Sequence, residues 1–136
     1  RGTLLSSLPS NLNGRRVLDA GCGTGQTSFE LAKRGAEVIG LDISANLINV
    51  ANDRMPKSLS HKIHFESGDM LSGEYGMFDY VVAMDSLIHY RPKDITVSLA
   101  QLAKNTTNAI LFSISLSLGS IHIIHAPHSS FIQFTI

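Results

Sequence analysis

Apolar positions along the chain follow two alternating periods, and the alternation predicts the fold class. Short apolar runs of strand type occupy residues 16–20, 37–42, 62–66, 78–84 and 109–115. Between them, apolar residues recur at helical spacing. Phe29, Leu31 and Ala32 mark residues 26–34, and Leu47, Ile48 and Ala51 mark residues 45–54. Ile95, Leu99, Leu102 and Ala103 mark a later helix, and Leu4, Leu5 and Leu8 a short early one that ends near Pro9. The punctuation agrees: Asn13-Gly14 is a turn, Gly35 a C-terminal cap, Ser44 an N-cap and Pro56 a stop. Residues 78–84 are apolar enough to be buried on both faces of a sheet. Strand and helix in alternation predict an α/β domain whose parallel sheet is joined by crossover helices.

The end of the chain departs from this pattern. Asn105 to Ile136 carry no Asp, Glu, Lys or Arg. The apolar stretch 109–126 has the length of a membrane span, but Ser113, Ser115 and Ser117 alternate with Ile114, Leu116 and Leu118 at strand period. His122 and His125 would also be costly in lipid, so a strand is expected. His122, His125 and His128 are spaced by three, yet a strand sends neighbours to opposite faces, and no Cys or carboxylate joins them. No metal site is expected there. His61 and His64 read as surface residues.

Composition narrows the partners. The 136 residues fit one domain, and 43% hydrophobic against 16% charged residues suit a globular core. Eleven basic and eleven acidic residues cancel, so nothing supports a nucleic-acid partner bound through a basic face. The single Cys22 excludes an internal disulfide and fits a reducing, cytoplasmic compartment. The chain opens on Arg1 without a signal peptide, and an upstream natural N-terminus is expected.

The chemistry concentrates in residues 17–25, Val-Leu-Asp-Ala-Gly-Cys-Gly-Thr-Gly. A strand, a glycine turn and a helix present backbone N–H groups and a helix N-terminus to a ligand. The spacing is G-x-G-x-G with Gln26 next, so the third glycine of the dinucleotide pattern G-x-G-x-x-G is absent. A nicotinamide-dependent oxidoreductase is disfavoured on that count. Asp19, two residues before the first glycine, sets negative charge where a pyrophosphate would lie, and suits a ligand with a cationic end. Taken singly, a glycine turn is often only a turn, Asp42 caps a helix and Asp69 is a loop acid. All three follow successive strands, at the sheet edge where such folds bind ligands.

These residues resemble motif I and its partners in the class I S-adenosylmethionine-dependent methyltransferases. The resemblance covers about residues 4–115 and implies a Rossmann-like open, mainly parallel sheet with helices on both faces. It implies cofactor contacts from Asp19, Gly21, Cys22, Gly23, Gly25, Asp42, Ile43, Asp69, Met70 and Met84. In that pattern Asp42 accepts from the ribose hydroxyls, Asp69 accepts from the adenine amino group, and Met70 offers backbone and an apolar edge to the ring. Cys22 is expected to be a small buried residue whose backbone touches the ligand, not a reactive thiol.

Residues 78–90 read Phe-Asp-Tyr-Val-Val-Ala-Met-Asp-Ser-Leu-Ile-His-Tyr. With Gly68-Asp69-Met70-Leu71 and Arg15-Arg16-Val17-Leu18-Asp19-Ala20, they are similar to the magnesium-protoporphyrin O-methyltransferase family of bacteriochlorophyll synthesis. That similarity implies methyl transfer from S-adenosylmethionine to a propionate of magnesium protoporphyrin IX. It implies magnesium chelatase as a partner and at most peripheral membrane association. A propionate with a pKa of ~4–5 is already ionised at neutral pH, so placement and water exclusion matter more than a base. His89 is expected to orient that carboxylate, and Tyr90 to assist or to pack on the porphyrin face. Other small-molecule methylation and cofactor binding without turnover are the alternatives.

After Ser115 the resemblance implies a further helix and two strands, one antiparallel, and ahead of Leu4 a lid segment. The sequence carries neither pattern. A truncated or aberrant C-terminal part is expected, with residues 1–115 as an incomplete cofactor-binding core and residues 116–136 as an atypical tail. Fragmentation or a shifted reading frame is the expectation that would explain both departures.

Overall fold

A computed structural model of the chain describes residues 5–84, 92–113, 121–125 and 132–135. In chain order the elements are β1 (Arg16–Ala20), α1 (Gln26–Lys33), β2 (Glu37–Asp42), α2 (Ala45–Arg54), a 3-10 turn (Lys57–Leu59), β3 (Ile63–Ser67), β4 (Phe78–Met84), α3 (Pro92–Ala103), β5 (Thr106–Ser113), β6 (Ile121–His125) and β7 (Ile132–Thr135). They build one sheet of order β3-β2-β1-β4-β5-β6-β7. The first five strands run parallel, and β6 and β7 add antiparallel to β5 and to each other. β1 lies between β2 and β4, so the order reverses there, and such a reversal opens a crevice at the carboxyl ends of the strands.

The core has two layers because neighbouring strand residues face opposite ways. Val17, Val38, Ile63, Phe65 and Val82 pack under Leu31 and Ala32 of α1 and Ile48 and Ala51 of α2. Leu18, Ala20, Leu41, Val81 and Ala83 pack on the other side with Leu99 and Leu102 of α3. Val81, Val82 and Ala83 are all buried, as a strand covered on both faces requires.

β1, β2, β4 and α2 have the bounds that the pattern predicts, and Ser44 caps α2 by accepting from the Leu47 N–H at 3.2 Å. Leu47 itself is 38% exposed, so burial in α2 rests on Ile48 and Ala51. α1 stops at Lys33, with Arg34 as its cap and Gly35 just beyond in the left-handed region at φ 103°. β3 is shifted one residue toward the C-terminus of its expected range. β5 starts earlier than expected, at Thr106. A register shift between Phe78 and Tyr80 admits the polar start of this strand, and the Thr106 hydroxyl donates to the Leu102 carbonyl at 2.7 Å.

The charge-free end of the chain supplies two further strands, of which β7 forms the sheet edge, while residues 114–118 of the serine alternation lie outside the described residues. Both are antiparallel, where the resemblance implied one. Residues 114–120 separate β5 from β6, too few for a parallel crossover, which takes about a dozen. Among the described residues no helix is long and apolar enough to cross a membrane.

Candidate functional site

The loops after β1, β2 and β3 and the end of β4 meet at the carboxyl edge of the sheet. Gly21, Gly23 and Gly25 all have positive φ, at 75°, 56° and 91°, which explains the alternate glycines between β1 and α1. The Gly21 and Cys22 N–H groups donate to the Leu41 carbonyl at 2.8 and 2.9 Å, fastening the turn to β2. At Gly25 a methyl group would lie 2.7 Å from the Phe65 ring, so this glycine is needed for packing as well as for its backbone angle. At Gly23 a methyl group would meet nothing within 4 Å: this glycine borders open space, where a ligand can approach the backbone.

Two carboxylates flank the turn. Asp19 is 2% exposed, and its Oδ2 accepts from the buried Ser28 hydroxyl of α1 at 2.7 Å. Asp42 accepts from the Gly23 N–H through Oδ2 and from the Ser44 N–H through Oδ1, both at 2.9 Å. It therefore joins the glycine turn to the start of α2, combining a helix-start role with a position in the site. Their combined field is felt by Cys22: burial first, then the negative charges of Asp19 and Asp42, push its thiol well above the ordinary range. The thiol stays protonated, as expected for a buried residue without nucleophilic character.

Around this centre, Ile43 is 82% exposed next to Asp42, an unusual position for a large apolar side chain. The Gly68 N–H donates to the Asp42 carbonyl at 2.9 Å, which brings the loop after β3 alongside. Asp69 is exposed, and its Oδ1 accepts from the Leu71 N–H at 2.8 Å in a tight Asx turn. Met70 is half-buried against the second core layer. The Thr27 hydroxyl lies 3.6 Å from the half-buried Met84 sulfur at the end of β4. The structure thus brings together Asp19, Gly21, Cys22, Gly23, Gly25, Asp42, Ile43, Asp69, Met70 and Met84 along one edge. His89 and Tyr90 lie outside the described residues. Thr27 and Ser28 were not singled out in the sequence; their signal is the small polar pair that follows the glycine turn on the first turn of α1.

Fold and edge together define a class I methyltransferase domain. Residues 17–109 match the methyltransferase domain family, and the chain belongs to it. Within that family it is 54% identical to the magnesium-protoporphyrin O-methyltransferase of Rhodobacter capsulatus over 115 residues, which cover 85% of this chain and 51% of that protein. It is 35% identical to the enzyme of the same name from Synechocystis sp., over 76% of this chain and 45% of that one. The crystal structure of magnesium protoporphyrin IX methyltransferase from Synechocystis PCC 6803 with bound SAM superposes with a TM-score of 0.71 at 31% identity, over 82% of this chain and 53% of that chain. The chain thus spans about half the length of the curated relatives that it matches.

Proposed function

We propose that this chain carries the S-adenosylmethionine-binding part of an O-methyltransferase acting on a propionate carboxylate of magnesium protoporphyrin IX. The observation that carries the reading is the glycine turn set between the carboxylates of Asp19 and Asp42, with open space at Gly23. The turn offers close backbone approach, and the two acids favour a cationic ligand over a polyphosphate. S-adenosylmethionine supplies a methyl group on a cationic sulfur and carries no phosphate. The 54% identity to a named magnesium-protoporphyrin enzyme supports the substrate class.

In this reading each carboxylate has its own task. Each Asp42 oxygen holds one backbone N–H and keeps a lone pair for a ribose hydroxyl. Ile43 offers an apolar cover to the adenine, which accounts for a large side chain left in solvent. Asp69 faces the adenine amino group, Met70 lies at the ring edge, and Met84 closes the floor near the methyl group. Asp19 remains buried and acts through its charge. His89 orients the substrate carboxylate, and Tyr90 packs against the porphyrin. The porphyrin is delivered by a magnesium-inserting partner such as magnesium chelatase, with at most peripheral contact with a membrane.

Calorimetry with S-adenosylmethionine beside an ester-forming assay on magnesium protoporphyrin IX tests the proposal. Binding with formation of the monomethyl ester is expected of the complete enzyme. Binding without ester from any form of the protein would leave a cofactor-binding domain, and tight NADH binding in its place would overturn the reading.

A further inference from the structure

Residues 68–77 connect β3 to β4 without a helix, although they include the two residues assigned above to the adenine. Met70, Leu71 and Tyr75 pack half-buried against the second core layer, and the rest of the loop adds little apolar packing. Ser72, Gly73, Glu74 and Gly76 are exposed, Met77 is 48% exposed, and a cavity of about 20 Å3 lies beneath, lined by Leu18, Leu41, Met70, Leu71 and Phe78 among others. The exposed part, residues 72–77 apart from Tyr75, would carry a large conformational entropy if nothing else held it.

Two polar attachments supplement that packing. Glu66, on β3, accepts from the Tyr75 hydroxyl through one oxygen and pairs with His64 Nε2 at 3.0 Å through the other. Arg16, the first residue of β1, reaches under the far end. Its guanidinium donates to the carbonyls of Met77 and Tyr75, the latter at 3.0 Å, and stacks 4.7 Å from the centre of the Phe78 ring. Tyr75 is therefore held twice, through its side chain to β3 and through its backbone to β1. The hydrogen bonds from Tyr75 and His64 hold the Glu66 carboxyl below its ordinary range, so it stays an acceptor through neutral pH.

We infer that Glu66, Tyr75 and Arg16 are positioning residues: they clamp the loop to β3 and β1 and thereby keep Asp69 and Met70 at the carboxyl edge beside Asp42. The inference rests on the cofactor reading for what the loop recognises, but the clamp itself belongs to the free protein. None of the three side chains is assigned a contact with cofactor or substrate.

The full chain and its Tyr75→Phe, Glu66→Gln and Arg16→Lys variants are compared on two readouts. Amide exchange without ligand reports loop order, and calorimetry with S-adenosylhomocysteine and its hypoxanthine analogue reports recognition of the adenine amino group. Tyr75→Phe is expected to speed exchange across residues 69–77 by roughly three- to tenfold, with β1 and β2 unchanged, and to lower the preference for the adenine ligand by a similar factor. Glu66→Gln keeps an acceptor for the tyrosine hydroxyl and retains both properties. Arg16→Lys keeps the charge but loses the two-carbonyl reach, and behaves like Tyr75→Phe. Unchanged loop exchange in Tyr75→Phe, or faster exchange with an unchanged ligand preference, overturns the inference. A parent chain that binds neither nucleoside instead removes the cofactor reading, while loop exchange still decides the clamp.

Discussion

The Ser28 hydroxyl donates to Asp19 Oδ2 at 2.7 Å, between a residue with no solvent exposure and one with 2%. A buried carboxylate is tolerated only when its lone pairs are occupied. Ser28→Ala removes one donor and leaves the charge in place. It is expected to lower stability by about 1–3 kcal/mol, read as a lower urea midpoint at unchanged slope. An unchanged midpoint would show that Asp19 does not depend on this bond.

Asp42 serves the fold and the proposed ligand with the same two oxygens. Asp42→Ala is expected to weaken S-adenosylhomocysteine binding by roughly 1–3 kcal/mol, about five- to 150-fold, by calorimetry. Asp42→Asn retains one acceptor and should fall between the parent and the alanine variant. Equal affinities for all three proteins would remove Asp42 from the site.

Gly40 and Phe65 are cross-strand neighbours on β2 and β3, and a methyl group at Gly40 would lie 2.6 Å from the Phe65 ring. Gly40→Ala is expected to cost about 1–3 kcal/mol through overpacking. In a Phe65→Val background the same change costs less, which gives a coupling of about 0.5–3 kcal/mol in a double-mutant cycle. Additive effects would mean that the sheet relaxes around the methyl group by another route.

Tyr75 titrates late. Its hydrogen bond to Glu66 comes first among the causes that push its hydroxyl from 10.0 up to about 12. The fold favours the protonated form, so this contribution is whole below pH 10 and is lost as pH rises through about 12. Glu66 has the opposite sign. Its carboxyl is held below 4.5, so its contribution is present above that pH and is lost as pH falls. An ultraviolet titration of tyrosinate should show one of the three tyrosines ionising late, and Tyr75→Phe should remove that component. A late component that survives the substitution would assign it to another tyrosine.

His89→Ala is expected to lower turnover of magnesium protoporphyrin in the complete enzyme, with little change in cofactor affinity. Steady-state kinetics beside calorimetry separate the two effects. A loss confined to cofactor binding would contradict the orienting role.

The parallel half of the sheet was legible because its signals are local. Residues 81–84 are an unbroken apolar run, Ser44 stands at a helix start, and the glycines at 21, 23 and 25 announce positive φ. The bounds of β5 were less legible, because a bulge lets Thr106, Thr107 and Asn108 begin a strand that composition would start at Ala109. In the site, carboxylates at strand ends were readable from spacing. What escaped was mutual contact: Ser28 beneath Asp19, Asp42 holding Gly23, and Glu66 holding Tyr75 all depend on distances that only the folded sheet creates.

The placement of β1 between β2 and β4 also sets an order of assembly. Every contact that fastens the glycine turn to β2 lies within the first 42 residues, and β3 joins that flank by residue 67. A nascent chain can therefore fasten the glycine turn to β2 and β3 while one edge of β1 is still bare. β4 then docks on that edge, where the Arg16 N–H meets Asp79 Oδ2 at 2.8 Å across 63 residues, a closure of far higher contact order than the pairings before it. In this protein the glycine turn is anchored by segments made before the strand that closes the centre of the sheet.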